Sequence, residues 1–448
     1  MSAREDGGEL DSLYRRVTIR IVPFLFIAYV VAIIDRINIG FAQLHMRSEL
    51  GFSDAVYGLG AGIFYLGYVV FQVPSNVLLR KIGARKTFAR ILLVWGAASM
   101  AMSTVRTPEM LYFLRFLLGT FEAGFFPGII LYLTYWFPAS RRARATSWLF
   151  VAVTLSGIIG SVASGAIMQY FNGVLGLSNW QWLFVLEGVP AVLLGVIARS
   201  VVADSPNDVR WLSSDEKKML AEDLQLESRR ESAAPNHSFL SMLANQKILA
   251  LIAVYFTLSC GAMAISFWLP IMVNSAGSGS MLKTGLFSAF PYVVGMFGVA
   301  LIARHSDRRN ERRFHYAICI ISAGVAMGLL PAFTGNLPAI LVLLCVGVTG
   351  TFAAFPIFWS VPHRFLSDKT AAAGLALVSC LGQIGGFVSP VTIGWIKSVT
   401  GRMDNGLYAL SGVMVLGGIG MVFILRSSSE SVPQRGQPLP GGKPENLP

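Results

Sequence analysis

Long apolar stretches recur along this chain, and no other feature restricts its possible folds as much. An ~30 Å hydrocarbon core is crossed by roughly 20 helical residues. Twelve segments reach or approach that length: 20–42, 56–79, 87–105, 109–137, 145–171, 181–201, 247–273, 283–304, 314–333, 337–361, 370–396 and 405–426. Within lipid, backbone N–H and C=O groups must find partners inside the chain, so such segments fold as helices. The expected fold class is an all-α polytopic membrane protein with twelve transmembrane helices. Of 448 residues, 54% are hydrophobic and 13% charged, where a soluble domain carries about 25% charge. That balance excludes a nucleic-acid binder, a disulfide scaffold and a disordered chain.

Polar residues from 202 to 246 divide the segments into two six-helix halves. The expected organisation is an N-terminal cytoplasmic segment 1–19, a first half 20–201, a central cytoplasmic loop 202–246, a second half 247–426 and a disordered cytoplasmic tail 427–448. Arg15, Arg16 and Arg20 before an apolar run imitate a signal peptide, but no small-residue cleavage site follows, so a retained first helix is expected. With both termini cytoplasmic, Arg47, Arg106, Lys283, Lys397 and Arg402 fall outside, and Arg36 and Arg115 within apolar runs. Every other one of the 36 Lys and Arg is then inside, as the positive-inside rule requires. The net charge of +12 therefore reflects orientation in a bilayer and needs no nucleic-acid partner.

Superposing the halves so that Arg20 meets Lys247 brings Gly83 onto Asn310 and Arg199 onto Arg426. Identities are few, but element order repeats, as in transporters whose halves rock about a central site.

Charge inside hydrocarbon costs about 2.5–3.5 kcal/mol per residue on insertion scales, so intramembrane ionisable groups point to function. Asp35, Arg36, Arg115 and Glu122 are the clear cases, with Glu187 less central. Arg115 and Glu122 are two helical turns apart and share a face. An ion pair Asp35–Arg115 or Glu122–Arg36 would reduce the cost. The four could form a purely structural network, yet buried salt bridges stabilise weakly, and the arginine fork suits a carboxylate. The functional reading is that arginine binds an anion while a carboxylate, Glu122 first, carries a proton. The repeat places Ala262, Met263, Val342 and Thr349 opposite these charges. The second half is thus expected to supply neutral recognition through Tyr292, Trp359, Ser360, Ser379 and Gln383, each of which also suits plain packing.

Cys260, Cys319, Cys345 and Cys380 lie in or beside apolar runs without metal or disulfide spacing and read as small buried hydrophobes. The histidines at 45, 237, 305, 315 and 363 sit near helix ends or in loops, which argues against a histidine proton relay across the membrane. Gly157, Ser161 and Gly165, and Gly382 and Gly386, are expected to let helices approach closely. Pro127-Gly128 should bend the fourth helix beside Glu122.

Several motifs together resemble the major facilitator superfamily, and within it the anion:cation symporter family of bacterial organic-acid permeases. They are Asp35-Arg-Ile-Asn-Ile-Gly-Phe41, Phe71-Gln-Val-Pro-Ser-Asn76, Arg115 through Pro127, Tyr132-Leu-Thr-Tyr-Trp-Phe-Pro138, Trp182 through Gly188 and Gly382-Gln-Ile-Gly-Gly-Phe387. The resemblance implies a major facilitator fold and proton-driven carboxylate uptake. It also implies that Asp35 and Glu122 carry protons, that Arg36 and Arg115 bind the anion, and that Tyr68, Trp359 and Ser360 line the cavity. Three positions depart from the pattern: Arg80 where the superfamily loop usually has an acid, Gln383 where the family often has Asn, and His363-Arg364 after the tenth helix.

The expectation is a monomeric bacterial inner-membrane symporter. It moves a tartrate-like sugar acid or a phthalate-like aromatic acid with protons, uses no cofactor and is not an enzyme. The rivals are proton-coupled export of a drug or metabolite and a membrane acid sensor.

Overall fold

A computed structural model of the chain describes residues 2–231, 245–362 and 368–429. Its helices, in chain order, are α1 (Ser2–Ile37), α2 (Ile39–Leu50), α3 (Asp54–Ile82), α4 (Ala84–Ala101), α5 (Pro108–Glu122), α6 (Phe125–Thr134), α7 (Ala139–Tyr170) and α8 (Asn179–Val201). Next come α9 (Ser214–Glu231), α10 (Gln246–Ser275), α11 (Met281–Arg309), α12 (Arg313–Leu329), α13 (Leu337–Trp359), α14 (Asp368–Gly382), α15 (Gly385–Thr400) and α16 (Asp404–Ser429). No strand occurs among the described residues.

Pairing α1 with α2, α5 with α6 and α14 with α15 gives the twelve expected spans, with α9 in the central polar segment. Among the described residues eleven spans are long and apolar enough to cross a membrane, and α4 falls short. Its opening turns carry Arg85, Lys86 and Arg90. The segment 1–19 is helical from Ser2 and runs into the first span, while the central loop contains α9. His237, His363 and Arg364 and the tail from 430 lie outside the described residues.

Helix starts are set by capping chemistry. Ser53, Thr107, Ser280 and Asn336 each accept a hydrogen bond from the backbone N–H three residues on, and Ser178 forms a capping box with Gln181. Such caps satisfy N–H groups left open at a helix start and contribute about 1 kcal/mol each.

In the first half α4 packs along α8 and α1 along α7; in the second α12 packs along α16 and α11 along α13. The halves meet at two seams, α7 against α11 and α3 against α15. Both are glycine-lined at the same end of the bundle, beside residues 51–53, 171–178, 276–280 and 401. A Cβ on Gly165 would stand 2.7 Å from Gly285 Cα, and one on Gly58 2.4 Å from the Pro390 carbonyl oxygen. The expected close approaches of Gly157, Gly382 and Gly386 are present too, against Tyr292, Tyr255 and Tyr65.

The turn after α3 holds a carboxylate even though position 80 is an arginine. Gly83 has φ +89°, and a Cβ there would lie 2.5 Å from Asp204 Oδ1. Asp204, just past α8, accepts from the Arg85 backbone N–H at 2.8 Å, while Arg85 Nε donates to the Val202 carbonyl at 2.8 Å. A carboxylate is therefore present at this turn, supplied by a different segment.

Candidate functional site

Three helix interruptions bring the intramembrane polar residues to the middle of the bundle. The first span is interrupted at Asn38, directly after Asp35 and Arg36. The fourth is interrupted at Ala123 and Gly124, directly after Glu122. Pro127 has no N–H for the Ala123 carbonyl, so the break falls one turn before the proline. The eleventh is interrupted at Gln383 and Ile384. At Asn38 the backbone keeps its helical bonds, to Ile34 and from Ala42, and the turn is only tightened, whereas at Ala123 the carbonyl loses its usual N–H partner to Pro127.

Arg36 and Glu122 form a buried ion pair, Nη2 to Oε1. Of the two pairings the sequence allows, this one occurs, and Asp35–Arg115 does not. The pair is incompletely satisfied, since Arg36 Nε and Glu122 Oε2 are buried with no hydrogen-bond partner. Three rings of α3 surround the guanidinium: Tyr68, Phe64 and Tyr65, with centroids at 5.2, 5.3 and 5.9 Å. Rings at that range favour a cation electrostatically. Tyr68, which the family resemblance makes a cavity residue, is here buried with its ring against the Arg36 guanidinium.

Arg115 is fully buried and apart from this pair. Its Nε donates to the Gly60 carbonyl at 3.1 Å, its Nη1 has no partner, and its guanidinium lies 5.0 Å from the Phe64 ring. Phe64 therefore separates the two arginines, although Arg115 and Glu122 share a helix face. Asp35 points away from Arg36 and accepts from Trp95 Nε1, Ser99 Oγ and, at 3.2 Å, Asn38 Nδ2.

Tyr292 packs over Gly157 of α7, while Trp359, Ser360 and Gln383 keep to their own half. Trp359 packs on Tyr255 with centroids 5.0 Å apart, and the Ser360 hydroxyl donates to the Ile357 carbonyl at 2.7 Å. Gln383 Oε1 accepts from Ser259 at 3.4 Å. None touches Arg36 in this conformation. The halves are linked instead by the Tyr57 hydroxyl, which donates to the Phe267 carbonyl at 2.7 Å, and by Tyr65, which donates to Met263 Sδ. Cys260 and Cys319 are buried as expected, but Cys345 and Cys380 are only half-buried.

Sequence reasoning missed Phe64, Tyr65, Trp95 and Ser99. Trp95 and Ser99 are one helical turn apart on α4, a polar pair in an apolar run, and that spacing was the available signal. Phe64 looks like any other apolar residue.

Two six-span halves meeting around a buried arginine–glutamate pair, with interrupted helices at the pair, have the build of a membrane transporter. The chain belongs to the Major Facilitator Superfamily, whose profile matches residues 25–390. A relative from Agrobacterium vitis named for tartrate transport is 43% identical over 93% of this chain and 95% of its own. A Pseudomonas putida protein named for metabolite transport, NicT, is 39% identical over 90% of this chain and 92% of its own. Among solved structures, the inward-open xylose transporter XylE of E. coli superposes with TM-score 0.71 at 13% identity, covering 90% of this chain and 95% of that one. This is a multi-pass membrane transporter and not an enzyme.

Proposed function

We propose that the chain is a proton-coupled importer of an organic carboxylate, working in a bacterial inner membrane with both termini cytoplasmic. The observation that carries this reading is the Arg36–Glu122 pair, in which each partner keeps one unsatisfied buried atom beside three aromatic rings. A substrate carboxylate can take the guanidinium fork in a charge-assisted, two-point contact. Glu122 is then a buried anion without its cation, a costly state that a proton relieves. Anion and proton thus enter together, and loss of the proton on the far side returns Glu122 to Arg36 and expels the anion. Arg115, rigidly held on backbone carbonyls, adds fixed positive charge behind Phe64. Trp359, Ser360 and Gln383 would meet the substrate only when the second half closes on the first. The tartrate relative supports a hydroxylated acid as substrate, with an aromatic acid such as phthalate as the alternative. Two buried arginines disfavour cationic drugs, although a quinolone resistance transporter of Acinetobacter baumannii is 39% identical over 90% of this chain.

The test is uptake into proteoliposomes with a trapped pH dye, using tartrate, galactonate, glucarate, phthalate and 4-hydroxyphenylacetate. One acid is expected to acidify the lumen with wild type and not with Glu122→Gln, which should retain substrate exchange. Normal coupling in Glu122→Gln sinks the assignment of Glu122. Acid binding without movement in an active preparation favours a sensor.

A further inference from the structure

Besides Glu122, the first half buries two carboxylates that no cation neutralises. Asp35 is held by Trp95 and Ser99 of α4 and by Asn38. Glu187 of α8 is 6% exposed, and its Oε1 accepts from Ser164 Oγ of α7 at 2.7 Å. Among the described residues neither carboxylate has a Lys, Arg or His nitrogen within 4.0 Å. Arg115 acts on Asp35 only from beyond that range, as does the like charge of Glu122.

Asp35 keeps three donors, the weakest being Asn38 at 3.2 Å, whereas among the described residues Glu187 keeps only Ser164. Two atoms here lack any partner, Glu187 Oε2 and Asn38 Oδ1, and both are buried oxygens. Two acceptors cannot satisfy one another. A metal ion would need about six oxygen ligands, more than this site leaves free. A single proton on Glu187 Oε2 turns an unpaired anionic oxygen into a neutral hydroxyl and removes an uncompensated buried charge.

We propose that Glu187, buried against Ser164 with one oxygen unpaired and no cation beside it, is a second proton-binding site of the transport cycle, separate from the Arg36–Glu122 pair. The proposal rests on the importer reading. Glu187 lies eight residues into α8 from Asn179, roughly 12 Å at the helical rise, from the end where the glycine seams close. A proton arriving from that end reaches it before the centre of the bundle. Glu122 and Glu187 then carry one proton each, so uptake of a dianion is electrically neutral and uptake of a monoanion carries net charge inward.

The experiment measures proton-to-substrate ratio in proteoliposomes from the membrane potential that just halts flux at fixed proton and substrate gradients. Tartrate is the probe, or phthalate where tartrate is not carried. Glu187→Gln keeps shape and the contact with Ser164 but cannot titrate, and it is expected to move one proton fewer per anion with exchange intact. Ser164→Ala, which leaves the carboxylate in place, is expected to keep the wild-type ratio. An unchanged ratio in Glu187→Gln overturns the proposal, because a merely structural glutamate would behave that way. If Glu187→Gln does not reconstitute, Glu187→Leu, which fills the space without a titratable group, is read instead: a lowered ratio supports the site and an unchanged one overturns it. Normal coupling in Glu122→Gln would count against the importer mechanism alone, since the Glu187→Gln ratio can be read regardless.

Discussion

At the scale of single residues, the intramembrane charges were legible in the sequence because hydrocarbon makes each one expensive. Their pairing was narrowed to two alternatives, Asp35–Arg115 or Glu122–Arg36, and the second is found. Adjacent positions 35 and 36 point in different directions on a helix, and only the fold shows that Arg36 turns to Glu122 while Asp35 turns to α4. The neutral residues that set this arrangement carried little signal, Phe64 least of all. Trp95 supplies a donor to Asp35 and also packs on Phe125, with centroids 5.9 Å apart. Trp95→Phe should keep much of that packing and leave the carboxylate short of a donor, at about 1–3 kcal/mol. The expected result is a lowered melting temperature in detergent, with Arg36-dependent substrate binding preserved by calorimetry. An unchanged melting temperature would mean that another group replaces the indole.

Among the helices, apolar length predicted the spans well, because a bilayer imposes both the length and the helical form. The interruptions were only partly readable. Pro127 forecast the break after Glu122, since its missing N–H opens a specific turn. The break at Asn38 has no proline to announce it. There the Phe41 N–H bonds to the Asn38 carbonyl at 2.9 Å, tightening the turn as Gly40 passes the Phe267 carbonyl of α10. Glycines in α7 foretold close packing, and its partner α11 emerged only from the fold. Gly165→Leu tests that contact, because its side chain must enter space held by Gly285 and the Met281 carbonyl. Uptake should fall at least tenfold while folding in detergent is retained. A cysteine placed at Thr284 should become more reactive to a water-soluble maleimide from the loop side. Wild-type uptake would show that the seam tolerates separation.

At the scale of the whole molecule, the central segment is tied to the first half rather than hanging free between halves. Trp211 stacks on Trp136 with centroids 6.1 Å apart, Tyr14 donates to Asp223 at 2.6 Å, and Arg16 pairs with Glu216. The Ser213 backbone N–H, aided by Arg16, holds Glu216 below the usual carboxylate range. A carboxyl group with a depressed folded-state value contributes stability above that range and loses it as pH falls through its own folded value. The contribution is under about 1 kcal/mol because Arg16 is mostly exposed and salt screens the pair. Hydrogen exchange of α9, corrected for intrinsic rates, should be faster near pH 4 than at pH 7 and faster in high salt at pH 7. Equal protection in all three conditions would show that Trp211 and Tyr14 hold the segment unaided. None of this docking was legible in the sequence, since polar residues between two halves look the same whether tethered or loose.

The glycine seams carry one more consequence. Surfaces with interlocking side chains must disengage many small pegs before they part, and each peg resists sliding. At Gly58 with Gly394 and at Gly165 with Gly285 there are no pegs, only smooth backbone lying flush. Backbone lying that flush leaves no room beside it, and parting α3 from α15 must also break the Lys397–Asp54 ion pair one turn away, Nζ to Oδ1 at 2.9 Å, so the seam is a ground valve seat with a latch. Any methyl group added there is grit on the valve seat.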